Sequence, residues 1–140
     1  MKKLTLATLA ALAVPALGVS YGATAQTQAQ IAAVCPKGDV TRVRLSKIKP
    51  GATMAQYEEA VAAHKAWYKA KGYKLVLTQA PVLVWKDGAP SVAPDQIMSF
   101  ASGDSVPRDK QDAGWAEFVA KYRAASELAV EQVVCMPKHG

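Results

Sequence analysis

Apolar and polar residues alternate from Asp39 to Lys49 (DVTRVRLSKIK). Thr41, Val43 and Leu45 fall on one face, Arg42, Arg44 and Ser46 on the other, the period of a strand. Pro50-Gly51 ends it. Thr53, with Gln56 three residues on, has the spacing of a capping box and predicts a helix running to about Lys71, where Gly72 stops it. Met54, Tyr57, Val61, His64 and Tyr68 then share one stripe of that helix, with Glu58, Glu59, Lys65 and Lys69 outside it. Lys74 to Trp85 is a β-rich run interrupted by Pro81, which suits an edge strand or a bulge. After a turn at Lys86-Asp87-Gly88, Ala93 to Ser102 forms a further strand. Pro107 and Asp109 are expected to open a second helix, with Trp115, Phe118, Val119, Tyr122, Ala125 and Ala129 as its apolar stripe. Val130 to Met136 makes a last strand.

The order strand, helix, strand, strand, helix, strand is that of an α+β, ferredoxin-like split βαβ unit. Two amphipathic helices cover one face of a four-stranded antiparallel sheet. The competing architecture is an open α+β sandwich with a different strand pairing.

Ahead of this domain the pattern changes. Met1-Lys2-Lys3 is followed by an uncharged apolar stretch, Leu4 to Val19, and by Ala23-Thr24-Ala25, the small-x-small pattern of a signal-peptidase site. The stretch is shorter than the ~20 residues of a membrane span, and Cys35 follows Val34, which does not suit a lipobox. Residues 1–25 therefore read as a cleavable export signal, 26–38 as a flexible lead-in, 39–136 as a single domain and 137–140 as a tail. The location is periplasmic or secreted. The chain of 140 residues carries 17 Lys+Arg against 11 Asp+Glu, a net +6. Without Lys2 and Lys3 the balance is +4, interleaved with acids, which offers no basic patch for nucleic acid.

In an exported chain two cysteines most simply form one disulfide. Cys35 precedes the first strand and Cys135 lies near the end of the last. In a ferredoxin-like sheet these strands are antiparallel neighbours, so the two positions meet at one end of the sheet.

The segment Lys49-Pro50-Gly51, the helix start Tyr57-Glu58-Glu59, the run His64-Lys65-Ala66-Trp67-Tyr68 before Gly72, and Trp115-Ala116-Glu117-Phe118 resemble the dimeric α/β-barrel superfamily. That superfamily includes antibiotic-biosynthesis-type monooxygenases, stress-responsive barrel proteins and haem-degrading enzymes. The resemblance spans residues 39–136. It implies a homodimer paired through its sheets, with a ligand cavity between each sheet and its helices. In that picture Thr41, Val43 and Leu45 face the helices, and Arg42 and Arg44 face the sheet-sheet side.

His64 is the candidate catalytic residue, since it stands on the apolar stripe and the other histidine, His139, belongs to the tail. A neutral imidazole there can serve as a general base or as a metal or haem ligand; the structural alternative is a half-buried histidine satisfied by a carbonyl or a tyrosine. Tyr57, Trp67, Tyr68, Trp85 and Trp115 either line a pocket for a flat, largely apolar molecule or fill the core. Trp67, at the flank of its stripe, is the candidate rim residue. Arg42 and Arg44 can hold an anion, or can meet Glu131 across the last strand.

There is no zinc-ligand spacing, no Gly-rich phosphate loop and no G-x-S-x-G around Ser46, Ser99 or Ser102. No metal and no cofactor is predicted, with haem and flavin left open. Three functions remain: an exported binder of a small, largely apolar or aromatic molecule, a cofactor-independent monooxygenase or related oxidative enzyme, and a structural or interaction module without a ligand.

Overall fold

Strand β1 (Gly38–Ile48) occupies an interior position in the sheet and is hydrogen-bonded to a neighbour on each side. The computed structural model describes Gln30 and residues 33–137; the expected export signal, residues 26–29, 31 and 32 of the lead-in segment and His139 lie outside the described residues. Three further strands are β2 (Leu75–Lys86), β3 (Ala89–Gly103) and β4 (Ser126–Pro137). They pair antiparallel in the order β2-β3-β1-β4. Helix α1 (Met54–Ala70) follows β1, and α2 (Ala113–Ala125) follows β3. This is the ferredoxin-like α+β fold that the pattern predicts. No helix among the described residues is long and apolar enough to cross a membrane.

Local chemistry sets most boundaries. Thr53 caps α1 in a complete capping box: its hydroxyl accepts from the Gln56 amide, and the Gln56 side chain accepts from the Thr53 amide. The second helix begins later than expected. Pro107 and Asp109 lead only into a short 3-10 turn (Arg108–Lys110), and Asp112 is the cap, its carboxylate accepting from the Trp115 amide at 3.1 Å. That helix passes directly into β4 at Ser126, so Ala129 belongs to the strand and not to the helical stripe. Asp87 and Gly88 both have positive φ, the requirement of a two-residue type I′ hairpin. The register of β2 against β3 shifts beside Pro81, as expected for an edge strand.

Two packed clusters join the layers. Tyr57, Val61, Leu77, Ile97 and Ala125 form one, with Ile48 packed against it; Trp67, Tyr68, Val106 and Phe118 form the other. The first cluster decides which face of the sheet the helices cover. Ile48 packs into it, and the Tyr57 hydroxyl donates to Ser46 Oγ at 3.4 Å, so the even-numbered positions of β1 point to the helices. By the period of two, Arg42 and Arg44 share that side. Thr41, Val43 and Leu45 point away, the reverse of the expectation. Alternation identifies two faces, but it names the covered one only when the other is meant for water. Here the uncovered side is the more apolar: Val43 and Leu45 stand opposite Phe100 and Met98 of β3, and Leu45 stands opposite Val130 of β4.

Cys35 and Cys135 are bonded, with Cα atoms 5.6 Å apart. The bridge ties the lead-in segment to the last strand and is compatible with an oxidising location. Gly38 makes room for it: a Cβ there would stand 2.4 Å from the Met136 carbonyl oxygen and 2.9 Å from Cys135 Sγ. Because 100 residues separate the two cysteines, replacing both by serine is expected to lower the unfolding free energy by about 2–4 kcal/mol. Urea denaturation checks this, and an unchanged midpoint would contradict it.

Candidate functional site

Helical spacing in α1 places Tyr57, Val61, His64 and Tyr68 on its buried side, and the Phe118 to Tyr122 turn of α2 meets them. His64 is 7% exposed. Its ring lies flat on Phe118, with centroids 4.5 Å apart and planes 11° apart, and meets Tyr68 and Tyr122 edge-on at 4.9 and 5.9 Å. Nδ1 is 3.3 Å from the Tyr122 hydroxyl, the kind of partner the structural reading of this histidine calls for. Among the described residues Nε2 makes no hydrogen bond.

The sheet beneath is polar. Arg44 pairs across β1 with Ser99 of β3 and Glu131 of β4, and its Nε donates to Glu131 Oε2 at 2.5 Å. Both side chains of this ion pair are about one-third exposed. Ser46 and Ser99 are buried on the same side, and Arg42 stands two positions along, opposite Ala101 and Val133. The interface between helices and sheet therefore has aromatic residues on its helix side and arginines, serines and one glutamate on the facing side of the sheet.

This setting acts on the titrating groups. Burial, then the positive charges of Arg44 and Lys65, lowers His64 to about 4, so the imidazole is neutral at physiological pH. Burial also raises the Tyr122 and Tyr68 hydroxyls above their ordinary range, which keeps both protonated as donors; Arg44 opposes this at both, and Arg42 at Tyr68. An imidazole this weakly basic is a poor proton acceptor at neutral pH. As a hydrogen-bonding group of fixed, uncharged state it is well suited.

The other candidates divide. Tyr57 is 2% exposed and forms core rather than surface. Trp67 is buried rather than at a rim; its Nε1 donates to Asp112 Oδ1 at 2.8 Å, and its ring packs on Tyr73 and Trp115. Asp112 thus caps α2, binds the indole of α1 and pairs with Lys71, and the Lys71 and Trp67 hydrogen bonds hold its carboxyl well below the usual carboxylate range. Trp85 is not brought to the others. It stands 76% exposed in the β2–β3 hairpin, opposite Pro90. Tyr122, Phe118 and Ser99 join the site without having been singled out for it. The first two lie on the predicted stripe of α2, but nothing in the pattern says which residue of α1 they meet.

Two surface recesses flank the β1–α1 turn, one reaching Pro94 and Asp95 and the other Glu59 and Lys121; none of the candidate residues lines either. Among the described residues no group of three or more His, Cys, Asp or Glu side chains is arranged to hold a metal ion.

His64 makes a pH prediction of definite sign. The folded chain binds its proton only near pH 4, the unfolded chain near 6.5, so stability falls as pH drops through that window and levels off below it. The loss amounts to at most about 3 kcal/mol. Asp112 acts separately, because a depressed carboxyl loses its contribution only as pH falls below its ordinary 3.8. Proton NMR is expected to show the His64 ring titrating near 4, and His64→Gln to flatten urea stability between pH 6.5 and 4. A midpoint near 6.5 would contradict the burial.

No protein-family model matches the chain, and no curated protein is significantly similar to it. Among solved structures it is similar to SnoaB, described as a cofactor-independent oxygenase from Streptomyces nogalater, at 14% identity and a TM-score of 0.47. The match covers 73% of this chain and 96% of that one. The ferredoxin-like architecture rests on the strand order and register of the chain's own sheet.

Proposed function

We propose that the protein is exported and binds a small, flat, largely apolar molecule between its helices and its sheet, next to His64. One observation carries this reading: a layer interface normally filled by apolar residues has, on its sheet side, Arg44, Ser99 and Glu131, with Arg42 two positions along, and the Arg44 charge acts on His64, Tyr68 and Tyr122. In the tautomer in which the Tyr122 hydroxyl donates to Nδ1, the imidazole proton sits on Nε2. A bound ring then has aromatic faces to pack on and one neutral donor to orient it. The disulfide supports export.

The oxidative-enzyme reading is second. In its favour is an imidazole in contact with the Tyr122 hydroxyl and the Tyr68 ring; against it is the low basicity of that imidazole, a poor acceptor for a substrate proton at neutral pH. Binding is therefore put ahead of catalysis.

We also propose a homodimer built on the sheet side away from the helices. The support is the reversed polarity of β1, whose apolar residues point outward, together with exposed Val76 and Val130 on the same side. A contiguous apolar sheet face of this kind is what a second sheet covers.

Two measurements test these readings. Native mass spectrometry and an absorption spectrum of protein isolated from its own compartment are expected to reveal a co-purifying small molecule that denaturation releases. His64→Gln is expected to lose that molecule with little change in melting temperature, whereas full retention with lowered stability would return His64 to a purely structural role. Light scattering at micromolar concentration is expected to give twice the chain mass, and Val130→Lys to give the monomer. A wild-type monomer would refute the dimer.

A further inference from the structure

The helix-side face of β1 holds two arginines that are not equivalent. Arg44 is engaged by Glu131, which offsets part of its charge and holds its guanidinium in place. Arg42 has no acidic partner among the described residues and is exposed, although it lies on the same side of the sheet as the buried Ser46 and Ser99. Of the residues directly opposite, Ala101 is too small to cover it, and Val133 is 60% exposed. Neither residue directly opposite brings Arg42 a counter-charge, and the acid diagonal to it on β4, Glu131, is engaged by Arg44. By the alternation of β1, Arg42 shares the helix-side face with Arg44 and Ser46, and its charge acts on the Tyr68 hydroxyl. His64 adds no second positive charge, because it is neutral.

An unpaired guanidinium beside exposed valine and an aromatic wall suits a ligand with a planar apolar body and one negative end. Its fork of donors matches a carboxylate in a two-point contact. Resting on the reading that a small flat molecule binds between helices and sheet, we infer that Arg42 receives an anionic group of that molecule, and that the ligand class is an aromatic carboxylate. Arg44 then serves as a positioning residue. Locked to Glu131, it leaves the adjacent part of the sheet less charged, so that the ligand's charge is drawn to Arg42.

Titration calorimetry with 2-naphthoate and its neutral counterpart 2-naphthylmethanol tests this. The wild-type chain is expected to bind the carboxylate at least about tenfold more tightly, a preference that weakens as salt is raised. Arg42→Met is expected to abolish the preference by bringing the carboxylate's affinity down to that of the alcohol, and Arg42→Lys to restore part of it. Equal wild-type affinities for the two compounds, or an unaltered preference in Arg42→Met, would overturn the assignment of Arg42 while leaving a binding site between the layers. Failure of both compounds to bind would overturn that site, and the assignment with it.

Discussion

The contact between Tyr57 and Ser46, with Ile48 packed beside it, is a small one, yet the disposition of the whole sheet follows from it. A strand has two faces, and a single anchored position assigns every other residue to one of them. Once Ser46 and Ile48 belong to the helices, Arg42 and Arg44 must follow, and through the pairing so must Ser99, Glu131 and Val133. Val43, Leu45, Met98, Phe100 and Val130 are turned outward by the same rule. The molecule therefore carries a polar stretch where it is covered and an apolar face where it is open.

That inversion gives the aromatic layer its character. Had the apolar face of β1 turned inward, His64 would rest on valine and leucine in an ordinary core. Instead it rests near a guanidinium, which adds to burial in keeping it uncharged. Burial removes water from the imidazole, and Phe118 and the tyrosines fix its plane. The arrangement confines the residue to one protonation state, a property more useful for recognising a ligand than for carrying protons. The Asp112 contacts have a different task. By joining the Trp67 indole and the Lys71 ammonium to the first turn of α2, they hold the two helices that carry the aromatic layer.

Much of this was legible in the chain, and for identifiable reasons. The capping box at Thr53 and Gln56, the Asp87-Gly88 turn and the stop at Gly72 are local chemistry, decided within a few residues. The cysteine pairing was legible because it follows from topology: the first and last strands of this fold are neighbours, and their ends meet. The start of α2 is not legible in the chain because two acids, Asp109 and Asp112, stand near it, and the indole of Trp67 and the ammonium of Lys71, which favour Asp112, come from the other helix and its end. Trp85 counted among the site aromatics because sequence separation does not reveal that its hairpin carries it away from the helices.

Periodicity, caps and turn residues by themselves determined the element order, hence the ferredoxin-like fold, the disulfide and the stripe that carries His64. Those are properties of segments and of strand adjacency. Only the tertiary structure decided that Arg42 and Arg44 belong under the helices, that Tyr122 and Phe118 are the partners of His64, and that the apolar side of β1 is the open one. Alternation marks two faces without naming the covered one, and the choice depends on contacts between residues far apart in the chain.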